Sequence, residues 1–222
     1  MKTASPAAWF VTGTDTEVGK TFSCCALLHM LRSQGFRAVG MKPVAAGVDA
    51  QGCNEDVEAL MAAASVAAPR ALVNPYLFEA AIAPHIAAAE QGVRIELAPI
   101  LSAFHALRAQ ADVVLVEGVG GFCVPLGPDT DTVDLARALG LPVILVVGMR
   151  LGCINHALLS QQAIAASGLT LAGWVANRVD PDMAYFEDNL AALQTRLHAP
   201  LLGVIPARST PQAAAQGLQL PR

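Results

Sequence analysis

Short, uninterrupted apolar runs alternate along the chain with longer stretches in which apolar residues recur every three or four positions. "AWFVT" (8–12), "AVGMKP" (38–43), "VVLVEG" (113–118), "PVILVVG" (142–148), "LAGWVAN" (171–177) and "PLLGVIP" (200–206) read as strands. "KTFSCCALLHMLRSQG" (20–35), residues 55–67, "TVDLARALG" (132–140), "INHALLSQQAIAASG" (154–168) and "MAYFEDNLAALQTRL" (183–197) read as helices. Gly35 closes the first of these, and Asp131 caps the third. Strands apolar on both faces, interleaved with helices, predict an α/β fold: a mostly parallel sheet flanked by helices on both faces. The segment 68–100 is the least regular, and a stretch of that length without a pattern reads as a functional loop. The tail after Pro206 has weak periodicity and receives no assignment.

Composition acts mainly by exclusion. The 222 residues are 54% hydrophobic and 14% charged, which suits a well-buried core and one domain spanning 1–222. No apolar run reaches the ~18 residues of a membrane span. The start, "MKTASPAAWFVTG", has one lysine and too short an apolar stretch for a signal peptide, so a cytoplasmic protein with no membrane partner is expected. The formal charge is −4 with no Lys/Arg cluster, which argues against a nucleic-acid partner. Cys24, Cys25, Cys53, Cys123 and Cys153 are odd in number and form no CxxC, so free thiols in a reducing compartment are expected.

The candidate chemistry begins at "GTDTEVGKT" (13–21), between the first strand and the first helix. Gly19-Lys20-Thr21 ends like a phosphate-binding loop, GxxxxGK[ST], but Gly13 lies one residue too far upstream and Thr14 takes the first glycine's place. Gly19 would let the backbone approach a phosphate, Lys20 would reach the terminal phosphates, and the Thr21 hydroxyl would ligate Mg²⁺. The helix N-terminus adds unpaired N–H groups and a favourable dipole. The branch of such ATPases that reads KGGxGK[ST] carries an extra lysine. That position is Asp15 here, and Thr16 and Glu17 replace the two glycines, so partitioning and cell-division ATPases of that branch are not expected. Thr16 and Glu17 are candidates to contact an acceptor substrate.

Other polar residues sit where apolar runs end. Lys42 closes the second strand; it either snorkels to solvent or joins Lys20 over the phosphates. Glu117 follows five apolar residues, and Gly118, Gly120 and Gly121 after it free backbone N–H groups for an anion or serve a tight turn. Asp56 is either a first-turn carboxylate that favours its helix or a ligand. "NRVD" (177–180) resembles the NKxD that reads guanine. An Asn amide reads the adenine edge equally well, so the base stays open, as does a non-catalytic GTPase-like nucleotide switch.

Taken together, "VTGTDTEVGKT", "GMKPVAAG", "VNPY", "APHIAA", "VLVEGVGG", "LPVILVVG", "LGCINHALL", "LTLAGWVAN" and "APLLGVIP" closely resemble dethiobiotin synthetases, in the expected order from about residue 9 to 206. The resemblance implies a P-loop NTPase-like homodimer that uses Mg-ATP and CO₂ to close a ureido ring on 7,8-diaminononanoate. A carbamate and a carbamic–phosphoric anhydride would be the intermediates. It implies that Lys20 and Lys42 neutralise the transferring phosphoryl group and the carbamate, and that Thr21, Asp56 and Glu117 ligate Mg²⁺. Thr16 and Glu17 match loop residues needed for activity, within a nucleotide-binding loop of Thr14, Asp15, Thr16, Glu17, Val18, Gly19, Lys20 and Thr21. Glu117, Gly118 and Gly120 would continue that site, with Gly120 on the carbamate side. Asn177 would read adenine, flanked by Pro206. Cys153, Ile154 and Asn155 of "GCINHA" would hold the substrate carboxylate from the partner subunit, so that each active site is shared. One departure is Ala46, where the family commonly has serine beside the diamine. Lys20 and Lys42 lie at loop or strand ends, so replacing either is expected to lower turnover far more than it disturbs folding.

Overall fold

The computed structural model describes residues 7–221; residues 1–6, part of the stretch read for a leader, and Arg222 lie outside them. Six strands form one parallel sheet: β1 (Ala7–Gly13), β2 (Ala38–Met41), β5 (Val113–Glu117), β6 (Val143–Gly148), β7 (Leu171–Asn177) and β8 (Leu201–Ile205), in the order β2-β5-β1-β6-β7-β8. Between β2 and β5, β3 (Val44–Ala46) pairs in parallel with β4 (Tyr76–Phe78) as a separate two-stranded sheet.

Successive side chains of a strand point to opposite faces, and both faces are covered. Trp9, Val11, Leu115, Ile144 and Val146 pack under α1 (Lys20–Ser33) and under α9 (Pro211–Ala214) of the tail. Phe10, Val114 and Val116 pack on the other side with Ile100, Phe104 and Leu107 of α5 (Leu97–Arg108) and with α6 (Thr132–Leu139). Further along that face, Leu145, Val147 and Trp174 meet α7 (Cys153–Ala166) and α8 (Phe186–Arg196). Fully burying side chains of this size contributes ~1.5–3 kcal/mol each, which is why the long apolar runs predict the central strands well. Among the described residues no helix is long and apolar enough to cross a membrane.

The expected elements are present with adjusted ends. Gly35 follows α1 with φ +78°, and Asp131 caps α6 in a full capping box with Asp134. The helix expected over 55–67 stops at Ala63 as α2 (Glu55–Ala63). There Ser65 turns back onto β2: its hydroxyl accepts from Ala38 N–H at 2.8 Å and its N–H donates to Ala38 O at 2.9 Å. The helix expected from 183 starts at Phe186, after Tyr185 takes φ +54°. The segment 68–100 is not one irregular loop: it holds α3 (Arg70–Val73), β4, α4 (Pro84–Glu90) and the start of α5. The spacing of Ile100, Ala103, Phe104 and Leu107, all buried on one side of α5, carried a helical signal that the expectation passed over.

Candidate active site

The carboxyl ends of β1, β2 and β5 open on a cleft of about 900 Å³. Its floor is Asp15–Glu17 and Gly19–Phe22 of the loop together with Lys42, Asp56 and Glu117, and its other walls are Ala46, Ala81–Pro84 and the glycine turn after Glu117. Open parallel sheets bind ligands at this edge because the loops there face outward from a covered sheet.

The nucleotide-type loop is held from behind. Gly19, the N-cap of α1, has φ +80°, and a Cβ there would lie 2.1 Å from Asn177 Nδ2. That amide donates to Val18 O at 2.9 Å, so the end of β7 anchors the loop. The Val18 side chain is buried, which leaves only its backbone for a ligand. Asp15 organises the unusual front half. Its Oδ1 accepts from Thr16 N–H at 2.8 Å, its Oδ2 from Arg150 Nη2 at 2.7 Å, and its carbonyl from Lys20 Nζ at 2.9 Å. Thr16 and Glu17 are exposed at the mouth of the cleft, with Glu17 at φ +58°.

Behind the loop lies a buried polar cluster. Lys42 does not snorkel to solvent: it is 4% exposed, and Nζ donates to Asp56 Oδ2 at 2.5 Å and to Glu117 Oε1 at 2.8 Å. Its backbone is clamped as well. Lys42 N–H donates to Val73 O at 2.8 Å, and its carbonyl accepts from Asn74 Nδ2 at 2.6 Å. Thr21 Oγ1 donates to the same Glu117 Oε1 at 2.7 Å. Burial acts to lower the Lys42 pKa, but Glu117 and Asp56 outweigh it and hold the ammonium above the ordinary lysine range. Burial likewise acts to raise the Asp56 pKa, but Lys42 outweighs it and the carboxyl sits below its usual value. Lys20 is lowered, first by burial and then by the neighbouring Lys42, against the pull of Glu117.

Thr21, Asp56 and Glu117 offer a hydroxyl and two carboxylates, the oxygen donors that a hard divalent cation takes while keeping several waters. Glu117 Oε2 is buried without a hydrogen-bond partner among the described residues. An orphaned buried carboxylate oxygen is costly, and a cation at this position would satisfy it. The residues present therefore fit Mg²⁺.

Of the sequence-predicted residues, Asp15, Thr16, Glu17, Gly19, Lys20, Thr21, Lys42, Ala46, Asp56, Glu117 and Gly120 come together around the cleft. Thr14, Val18 and Gly118 lie behind it: Thr14 N–H donates to Val146 O at 3.0 Å and Gly118 N–H to Val11 O at 2.9 Å. Asn177 and Pro206 lie outside its lining, side by side at the ends of β7 and β8, since Asn177 pairs with Ile205. Cys153, Ile154 and Asn155 also lie outside it, in the first turn of α7, with Cys153 buried and Asn155 exposed. Sequence reasoning missed Asn74, which fixes the Lys42 backbone, and Arg150, which holds Asp15. An Asn before Pro after a short apolar run ("LVNP") and an Arg directly after a buried strand ("VVGMR") were the available signals. The apolar wall at Ala81–Pro84 left no signal, because pairing of β3 with β4 brings it to the cleft.

Comparison with known proteins adds to this geometry. The AAA domain family model matches residues 7–214. An ATP-dependent dethiobiotin synthetase of Aromatoleum aromaticum is 61% identical over 97% of this chain and 98% of its own length. Proteins of the same name from Xanthomonas oryzae pv. oryzae and Janthinobacterium sp. are 56% and 55% identical over 98% and 95% of this chain and 99% and 92% of their own. Among solved structures, a ParA family ATPase from Chlorobium tepidum superposes with TM-score 0.56 at 11% identity over 96% of this chain and 92% of its own. The MinC:MinD cell division complex of Aquifex aeolicus gives 0.55 at 12% identity over 94% and 86%. At such identities these two establish the P-loop NTPase fold and nothing more.

Proposed function

The chain belongs to the AAA domain family and, within it, to the ATP-dependent dethiobiotin synthetases, and from that premise we propose that it closes the ureido ring of dethiobiotin on 7,8-diaminononanoate with CO₂ and Mg-ATP. As a member of that family it is an ATP-dependent ligase. The observation that carries the finer reading is the convergence of Lys20, Thr21, Lys42, Asp56 and Glu117 on one cleft from four separate chain segments. Phosphoryl transfer needs positioning and charge stabilisation more than covalent chemistry, and this cluster supplies both.

In this reading one amine of the substrate captures CO₂ as a carbamate and releases a proton. The carbamate oxygen attacks the terminal phosphoryl group of ATP, giving a carbamic–phosphoric anhydride and ADP. The second amine then attacks the carbonyl carbon, phosphate leaves, and the ring closes. Lys20 holds the terminal phosphates, and Lys42 stabilises charge on the carbamate and the transferred group. Thr21, Asp56 and Glu117 would hold Mg²⁺, which when bound neutralises phosphate charge. Thr16 and Glu17, exposed at the mouth of the cleft, meet the diamine, and the Gly120 turn offers backbone N–H groups to the carbamate. Asn177 and Pro206 flank the adenine. The alkyl chain lies along the apolar wall at Ala81–Pro84.

The protein works as a homodimer with shared sites. The first turn of α7 contributes no residue to the lining of its own cleft, and Leu151 before it and Leu159 within the helix are 95% and 56% exposed. Large exposed side chains next to a helix N-terminus suit a partner surface where Asn155 and its neighbours hold a substrate carboxylate. No observation favours the GTPase-like switch, and the relatives of the chain are named as ATP-dependent enzymes.

The test is to incubate the pure protein with 7,8-diaminononanoate, bicarbonate and Mg-ATP and follow the diamine by mass spectrometry. A gain of one carbonyl less two hydrogens, with ADP and phosphate released, is expected. Nucleotide binding without that product overturns the reading.

A further inference from the structure

We infer that Lys42 and the divalent cation exchange for the same two carboxylates, so that filling the metal position releases Lys42 toward the reacting carbamate. The inference rests on the reading of Thr21, Asp56 and Glu117 as a metal site. Its basis is the geometry around one oxygen. Glu117 Oε1 accepts from both Lys42 Nζ and Thr21 Oγ1, at 2.8 and 2.7 Å, and Asp56 Oδ2 accepts from the same ammonium at 2.5 Å. All three oxygen donors of the proposed metal set thus touch or neighbour the Lys42 ammonium, which holds the position of a bridging cation.

Two carboxylates facing one another in a buried cluster repel, and one of them, Glu117, is 1% exposed. A cation is needed between them in every state of the protein, and the chain supplies its own when none is bound. The lysine preorganises the ligands and keeps the cluster paired. A divalent ion would carry twice the charge, and Glu117 Oε2, unpartnered among the described residues while Lys42 Nζ donates to Oε1, would be a further oxygen donor for it. Once that ion is present, the ammonium and the ion repel each other, and the open side of Lys42 is the cleft it already lines. The lysine then becomes free for substrate at the moment the metal position fills. Lys20 does not share this role: its ammonium donates to Asp15 O, not to a carboxylate of the cluster.

The experiment titrates Mn²⁺ alone into the nucleotide-free protein and reads the free-ion signal by electron paramagnetic resonance. Lys42→Gln is expected to tighten Mn²⁺ binding about tenfold or more, because the built-in competitor is gone. Lys20→Gln removes the same charge from the neighbourhood without vacating the carboxylates and is expected to tighten it several-fold less. Equal tightening in the two variants, or none in Lys42→Gln, overturns the exchange. Absence of Mn²⁺ binding in all three proteins overturns the metal-site reading and the exchange with it. Should Lys42→Gln fail to fold, the parent protein decides. The hydrogen-bond scalar couplings between Lys42 Nζ and the carboxylate carbons of Asp56 and Glu117, seen by NMR without metal, are expected to vanish at saturating Mg²⁺; their persistence overturns the exchange.

Discussion

Lys42 Nζ lies 2.8 Å from Glu117 Oε1, and the two side chains are 5% and 0% exposed. Breaking such a pair leaves an uncompensated buried charge, at a cost of about 3–5 kcal/mol. The expectation that replacing either lysine lowers turnover far more than it disturbs folding therefore meets different surroundings at the two positions. Lys42→Ala is expected to lower stability by about 3 kcal/mol as well as turnover, whereas Lys20→Ala, whose ammonium is already disfavoured by burial, is expected to lower turnover by about 10²-fold and leave stability near the parent's. Urea unfolding beside kcat at saturating substrates separates the two; equal stability of the variants would refute the distinction.

Gly19→Ala forces a side chain into φ +80° and onto the Asn177 amide that anchors the loop. A left-handed non-glycine residue alone costs ~1–2 kcal/mol, and here the contact adds to it. Nucleotide affinity is expected to fall at least about tenfold, equivalent to ~1.4 kcal/mol. Titration with a fluorescent ATP analogue reads this, and unchanged affinity would show that the anchor is dispensable.

The Asp56 carboxyl has a folded pKa below its unfolded value, because Lys42 outweighs the effect of burial. Its stabilising contribution is therefore complete above the unfolded value of 3.8 and lost as pH falls through the lower folded value. Asp56 is 45% exposed in its side chain, so solvent screening limits the contribution to about 1 kcal/mol, or ~2–4 °C in Tm. Asp56→Asn is expected to melt below the parent by that margin at pH 7. The gap should close below pH 3.8. A gap independent of pH, measured by calorimetry across that range, would assign the loss to packing instead.

Ala46 lines the cleft, and the resemblance to dethiobiotin synthetases leads to the expectation of a serine hydroxyl at this position. Restoring the hydroxyl offers one neutral hydrogen bond, ~0.5–1.5 kcal/mol net. Ala46→Ser is expected to lower KM for 7,8-diaminononanoate by roughly two- to tenfold with KM for ATP unchanged. A parallel shift in both constants would place residue 46 away from the diamine.

The proposed sharing of sites between two subunits would make two inactive variants complementary. Lys20→Ala disables the phosphate loop of its own chain, and Asn155→Trp blocks the carboxylate position it offers to the partner. A mixed dimer keeps one intact site. After denaturation and refolding together, an equimolar mixture is expected to recover about a quarter of the parental rate, since half the dimers are mixed and each has one working site of two. No recovery would mean that each chain carries a whole site of its own.

The sequence alone determined what is local. Runs such as Val113–Val116 and Val143–Val147 are apolar on both faces and so are buried strands wherever they pair, and Gly19-Lys20-Thr21 between a strand and a helix announces a phosphate loop by backbone conformation and charge. Tertiary structure decided the partners. β5 inserts between β1 and β2, and only this order brings Glu117 within 2.7 Å of Thr21, 96 positions away in the chain. Whether Lys42 at a strand end reached water or a carboxylate depended on Val73 and Asn74 folding over its backbone and on α2 presenting Asp56, contacts that no periodicity encodes. Hydrophobic spacing reports which face of an element is covered, but the identity of the cover is a long-range property, and the chemistry of this site lies in that identity.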